Sequence, residues 1–169
     1  MQYNLNVGTM IDYLAASQND NSIVEKFCYG NIASNCTTYG GLYSWDEAMK
    51  YISTEGSQGI CSVGYHIPSY SDFTTLITFL GGTSVAGGAM KATGTTYWSA
   101  PNTGATNSSG FNALGAGLDY DGPFGFNINT HFWTSTSGYP KFVGLQNNSA
   151  AVTRNEDFIG GKSVRCLHN

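Results

Sequence analysis

The chain has 169 residues, a formal net charge of −4 and only 11% charged residues. That length suits one domain with its own core, so we interpret residues 1–169 as a single domain. The acidic balance, without any basic run, argues against a nucleic-acid partner. No apolar run approaches the ~20 residues that a membrane span needs, which excludes direct membrane insertion.

The first half of the chain predicts one strand and one helix before residue 60. Alternating apolar residues predict a strand over residues 2–10. The sequence Ser44-Trp45-Asp46-Glu47 has the pattern of a capping box, in which Ser44 accepts from the first free amides and Glu47 reaches back. We expect this helix to carry Ile52 on its apolar face and to end at Glu55-Gly56.

The clearest helix begins after Pro68. Ser69 and Asp72 form a start signal, and residues 73, 76, 77 and 80 follow the spacing of one helical face. Gly81-Gly82 predicts the end of this helix, because glycine readily adopts the left-handed conformation of a C-terminal cap.

The second half predicts loops and short strands. Residues 92–125 read as long ordered loops, and no helix is predicted after Gly82. Alternating runs over residues 142–146, 151–155 and 162–167 predict a small antiparallel sheet. Helices early in the chain and a sheet late in the chain indicate an α+β fold.

Four cysteines, Cys28, Cys36, Cys61 and Cys166, form an even set without a Cys-x-x-Cys pair or a histidine at ligand spacing. This pattern favours two disulfides over a metal site. The alternative is four buried thiols in a reducing compartment. A local disulfide between Cys28 and Cys36 would close the compact loop that they enclose.

Ten segments in order resemble the Fibrobacter succinogenes major paralogous domain family. They span nearly the whole chain: KFCY at 26–29, NC at 35–36, TYGGLYSWDEAM at 38–49, GIC at 59–61, GYHIPS at 64–69, FLGG at 79–82, MKATG at 90–94, NTGATNSSGF at 102–111, FWTST at 132–136 and SVRC at 163–166. The departures from the usual family pattern are Ser62, Tyr65 and Phe73.

The resemblance implies a C-type-lectin-like fold on the branch of the formylglycine-generating enzymes. Two segments, 43–48 and 65–73, are similar to helix entries of that branch. The implied architecture has two helices packed around a small twisted sheet, with the chain termini side by side. The family pattern also implies a disulfide between Cys61 and Cys166, with Cys28–Cys36 as its companion.

The enzymes of that branch use a cysteine pair for copper or three histidines for iron, and neither set maps onto this chain. Its histidines are His66, His131 and His168, in a helix lead-in, a loop and the terminus, whereas an iron triad needs converging ligands. The segment 119–122 has some features of a calcium loop, but a tight turn explains it equally well. We therefore predict no catalysis, no cofactor and no resident metal.

The stretch between the Trp133 and Ser163 motifs is where the family pattern is weakest. Strand periodicity separates framework positions Val143, Leu145, Val152 and Arg154 from an interleaved set on the opposite face. With the turn 147–150 between two paired strands, we predict one solvent-facing binding surface made of Tyr139, Lys141, Phe142, Gly144, Gln146, Asn147, Thr153, Asn155, Glu156, Asp157, Phe158 and Ile159. The alternative is an ordinary solvated sheet face.

This stretch is also similar to the C-terminal variable region of the variable proteins of diversity-generating retroelements. There, adenine-targeted mutation rewrites Asn-type codons. Asn147, Asn148 and Asn155 stand among residue types that such codons yield, whereas Lys141, Gln146 and Glu156 fit this pattern less well. The resemblance implies a receptor for a protein or glycan ligand on another cell or virus surface.

Three functions therefore compete at this point. The first is a diversified receptor, the second a structural or adhesive cell-surface domain without a dedicated site, and the third a degenerate oxidase. The sequence does not open with the basic and apolar segments of a signal peptide. We expect an extracellular, cell-surface or virion location, reached by another export route or after removal of a leader.

Overall fold

The computed structural model describes residues 3–120, 122–156 and 160–169 and confirms the predicted α+β class. The helices are α1 (Ala33–Tyr39), α2 (Trp45–Ala48), α3 (Tyr70–Phe79) and α4 (Ala86–Met90), with a 3-10 turn over Tyr29–Asn31. The strands are β1 (Thr9–Met10), β2 (Glu25–Lys26), β3 (Tyr65–His66), β4 (Leu118–Asp119), β5 (Pro123–Phe124), β6 (Asn129–Trp133), β7 (Lys141–Gln146), β8 (Val152–Glu156) and β9 (Leu167–His168). None of the described helices is long and apolar enough to cross a membrane.

The largest sheet is antiparallel with strand order β6-β7-β8, and three two-stranded sheets pair β1 with β2, β3 with β9 and β4 with β5. Side chains from both faces of β6 and β7 are buried in two apolar clusters. Phe132, Val143 and Leu145 lie in the cluster that contains Trp98 and residues of α3 and α4. Trp133 and Phe142 lie in the other cluster, with residues of α2. The sheet is therefore the centre of the core, and only its β8 edge is largely exposed.

Helix α3 confirms its predicted start, face and end. The Ser69 hydroxyl accepts from the Asp72 amide, and the Asp72 carboxylate accepts from the Ser69 amide, which completes a capping box. Phe73 and Ile77 are buried, and Leu76 and Leu80 pack beside them. Gly81 and Gly82 follow with φ of 96° and 95°, a region that glycine adopts without strain.

Helix α2 is shorter than predicted. Ser44 caps it by accepting from the Glu47 amide at 3.2 Å, but Lys50 and Tyr51 have φ of 51° and 57° and cannot continue an α-helix. The Glu47 carboxylate does not return to Ser44; it accepts from the Glu25 amide and the Tyr51 hydroxyl. Ile52 is consequently 50% exposed rather than buried in an apolar face.

Other boundaries also differ from the predictions. Helices α1 and α4 were not predicted, because each is no longer than seven residues and neither has a side-chain cap. Of the described residues in the predicted first strand, Thr9–Met10 alone form a strand. The predicted strand 162–167 is replaced by isolated bridges at Lys162 and Ser163 and by β9.

Both predicted disulfides are confirmed, so the alternative of four thiols is wrong. Cys28 bonds Cys36 with a Cα–Cα distance of 5.1 Å, and Cys61 bonds Cys166 with a distance of 5.9 Å. The second disulfide fastens the loop before α3 to the last residues of the domain. The Leu5 amide donates to the Val164 carbonyl at 2.9 Å, so the first described residues lie beside the last ones, as the resemblance implied.

Three buried cations connect the loops to this core. Lys91 donates to the carbonyls of Thr103, Gln146 and Ser149 at 3.0, 2.8 and 2.8 Å. Burial lowers the pKa of Lys91 to about 8, so the side chain is still a protonated ammonium at neutral pH. The three carbonyl oxygens accept its hydrogen bonds. Arg165 donates to the Asn4 side chain and to two carbonyls, of Phe111 and Asn112. Lys162 lies 3.9 Å from the centre of the Trp133 ring, a cation–π contact.

Candidate functional site

The β7–β8 hairpin confirms the predicted pairing and three of the four predicted framework positions. Val143 and Leu145 are fully buried, and Val152 is 6% exposed. Their burial sets the register, since a shift by one residue would move every side chain to the other face. Phe142 pairs with Asn155 and Gly144 with Thr153, as predicted from the turn between the two alternating runs.

The exposed part of the interleaved face consists of Gln146, Thr153 and Asn155. All three side chains project from backbone that the buried framework holds in place. Because they are exposed, this face is open to solvent along the β8 edge and at the turn end of β7. A partner could therefore contact these side chains without disturbing the core.

Three predicted site residues are corrected, because they do not face solvent. Phe142 is only 6% exposed, since its ring stacks on His131 at 4.5 Å and meets Trp133 edge-on at 6.3 Å. Gly144 is buried, and a β-carbon there would lie 2.9 Å from His131 Cδ2. Asn147 is 9% exposed and donates from its side-chain amide to the carbonyls of Ser99 and Ala100.

Two other predicted site residues, Lys141 and Glu156, are accessible but lie on the framework face. They pair across the strands in phase with Val143 and Arg154. Their side chains form an ion pair, and the hydrogen bond that the Lys141 ammonium donates to the Glu156 carboxylate raises the pKa of Lys141. The prediction of one contiguous face is therefore wrong for Lys141 and Glu156, because their side chains lie on the opposite side of the sheet from Gln146.

Arg154 is also corrected. It was predicted as a buried framework residue, but it is exposed, because β8 is the edge strand and the core ends at Val152. Its guanidinium carbon lies 5.4 Å from the centre of the Tyr70 ring, and the Lys141 ammonium lies 5.3 Å from the same centre. No pattern in the sequence indicates this cluster, since helix α3 meets the hairpin only in the tertiary fold.

Tyr139 is 66% exposed in the turn before β7, as predicted. Asp157, Phe158 and Ile159 were also predicted site residues and lie outside the described residues. Gly160 and Gly161, which follow them, lie against Asp119 of β4, where paired backbone bonds join Gly161 to Asp119.

The candidate metal residues show no converging arrangement within the described ranges. No group of three or more histidine, cysteine, aspartate or glutamate side chains there could hold a metal ion. The Asp119 carboxylate accepts a hydrogen bond from the Gly122 amide at 3.1 Å, as expected for a tight turn. His66 contacts the Asn169 side chain through Nδ1, and His131 lies under the hairpin against Phe142.

Comparison with known proteins adds a family assignment. A family model described as the Fibrobacter succinogenes major domain matches residues 1–168. No curated protein and no solved structure matches the chain.

Proposed function

The chain belongs to the Fibrobacter succinogenes major domain family, and we propose that it is a ligand-binding domain that presents a variable C-terminal surface. In this proposal the fold is C-type-lectin-like and the domain is the variable protein of a diversity-generating retroelement. It binds a protein or glycan on another cell or virus, uses no cofactor and catalyses no reaction.

The separation of framework from surface within the β7–β8 hairpin carries this proposal. Val143 and Leu145 are fully buried, whereas Thr153, Asn155 and Gln146 project from the same strands into solvent. A replaced side chain at the exposed positions leaves core packing unchanged, and surface substitutions of this kind usually alter stability by less than ~0.5 kcal/mol. A scaffold for diversified recognition needs this independence.

The shape of the hairpin suits recognition of a macromolecule better than a small metabolite. The exposed residues combine the amide and hydroxyl side chains of Gln146, Asn155 and Thr153 with the aromatic Tyr139, a composition typical of paratopes. The two disulfides are consistent with an oxidising location. We therefore propose that the surface works outside the cell or on a virion.

The test is the DNA that flanks the gene, together with the gene's sequence in many cells of one population. The proposal expects a near-copy of the codons for about residues 137–159 beside a reverse transcriptase gene, because diversification needs a template. Differences among cells should fall at adenine positions of that template and affect exposed residues such as Thr153 and Asn155. A uniform gene without a repeat would contradict the diversified receptor.

A structural or adhesive role is the second candidate. It is favoured by the short exposed strands and by long ordered loops held by buried Lys91 and Arg165. In that role, sequence differences between related copies would be scattered over the whole surface rather than concentrated on the hairpin. An oxidase role would require bound copper or iron, which elemental analysis of purified protein measures directly.

A further inference from the structure

We propose that Tyr70, Arg154 and Lys141 form a subsite for a carboxylated sugar, such as a hexuronate or sialate unit of a glycan. This inference rests on the proposed binding function, because it names the ligand chemistry at one part of the binding region. The subsite lies on the framework face of the β8 edge, where the N-terminal end of α3 meets the hairpin.

Arg154 is a cation that a hydrogen bond holds in place, and none of the described residues is its acidic partner. Its Nη1 donates to Thr74 Oγ1 at 3.2 Å, and that hydroxyl gives its own hydrogen to the Tyr70 carbonyl at 2.8 Å. The hydroxyl therefore acts as an acceptor toward the guanidinium and fixes its position. Within the described part of the chain, no carboxylate forms an ion pair with Arg154.

The remaining guanidinium edge suits a carboxylate. Arginine has five N–H donors in a planar fork, and carboxylates bind such forks through two parallel hydrogen bonds. Glu156 is the neighbouring acid on the same face, but it pairs with Lys141. Among the described residues, this cluster has two cations and one carboxylate, so an incoming anion would balance its charge.

The space beside Arg154 has the size of a sugar unit. Tyr70, Lys141, Arg154, Asn155 and Glu156 line a cavity of about 310 Å³ that opens to solvent, near the lower end of the range for small-ligand sites. The Tyr70 ring supplies an apolar wall against which the C–H groups of a pyranose can pack. Glu156 supplies acceptors for its hydroxyl groups.

The same lining disfavours a protein side chain as the occupant. Energetically dominant contacts in protein interfaces lie in well-packed, desolvated pockets, whereas this cavity opens to solvent and none of the described residues that line it is aliphatic. Polar and charged groups around one aromatic ring fit a hydroxylated anion better. The carboxylate distinguishes the expected ligand from neutral hexoses, which lack a group for the Arg154 fork.

The experiment is an NMR titration of the disulfide-bonded domain that follows the Arg154 side-chain Nε–H signal and the Tyr70 backbone amide. The probes are glucuronate and N-acetylneuraminate, with glucose, acetate and a short Asp/Glu peptide as comparisons. We expect saturable binding of at least one acidic sugar in the millimolar range, and no saturation with glucose. Arg154→Gln and Arg154→Lys should each weaken binding roughly tenfold, since both remove the bidentate fork.

The matched control is Lys50→Gln, which removes an exposed cation outside this cavity and should leave the titration unchanged. Equal responses to acetate and glucuronate would overturn the proposal in favour of a simple anion site. A response to the peptide alone, no saturation with any probe, or retained binding in Arg154→Gln would overturn it as well. The proposed function fails separately, through the sequence uniformity of the gene, so the two outcomes are distinguishable.

Discussion

Replacing Phe142 with alanine should destabilise the fold rather than remove a surface contact. The ring is 6% exposed, stacks on His131 at 4.5 Å, and has the Lys162 ammonium 5.0 Å from its centre. Truncating a buried phenylalanine costs about 3–5 kcal/mol. We expect the lower half of that range, about 3–4 kcal/mol, because the site lies at the margin of its cluster and the lost cation–π contact adds ~1 kcal/mol at most.

The assay is urea unfolding of the oxidised protein followed by tryptophan fluorescence, with thermal unfolding as a second readout. A loss of this size should lower the melting temperature by roughly 10 °C for a chain of this length. Phe124→Ala is the matched control, because Phe124 is 62% exposed and should change stability by less than ~0.5 kcal/mol. A loss under ~1 kcal/mol for Phe142→Ala would refute the buried position and restore Phe142 as a surface anchor.

Three further predictions follow from buried groups. Lys91→Met should cost about 2–4 kcal/mol in urea unfolding, because three carbonyls lose their shared donor; an unchanged midpoint would contradict that role. Replacing Cys61 and Cys166 together by serine should cost about 4 kcal/mol, since their separation is 105 residues, and more than the same change at Cys28 and Cys36; equal losses would contradict the loop argument. Burial raises the pKa of Tyr43, so the unfolded phenol ionises first and stability should fall above about pH 10; Tyr43→Phe should flatten that alkaline slope, and an unchanged slope would count against it.

The parts of the fold that sequence predicted correctly are those with a local cause. The Ser69 and Asp72 cap, the apolar spacing of α3 and the glycines after it act within one helix, so the pattern in the chain determines the structure. The predicted length of α2 and the predicted return contact of Glu47 are wrong, and the cause lies in the tertiary structure. Glu47 bonds Glu25 and Tyr51 rather than Ser44, and the backbone leaves the helical region at Lys50.

The same distinction applies to the candidate site. The alternation of apolar residues along the strands correctly assigned Val143, Leu145 and Val152 to the core, because side chains of any strand point to its two faces in turn. It could not show that Phe142 is covered by Trp133 and His131, since burial of both sheet faces depends on how distant segments pack. Nor could it reveal the Tyr70–Arg154 contact, which joins α3 to an edge strand about 80 residues later in the chain.

The most direct test of the account compares two surface-displayed libraries of this domain, scored for folding by protease resistance. One library randomises Gln146, Thr153 and Asn155, and the other randomises Val143, Leu145 and Val152. We predict that the first library stays largely folded and yields binders against a panel of proteins and glycans, whereas the second loses protease resistance. Equal loss of folding in both libraries, or a folded first library without any binder, would contradict a replaceable binding surface on a fixed framework.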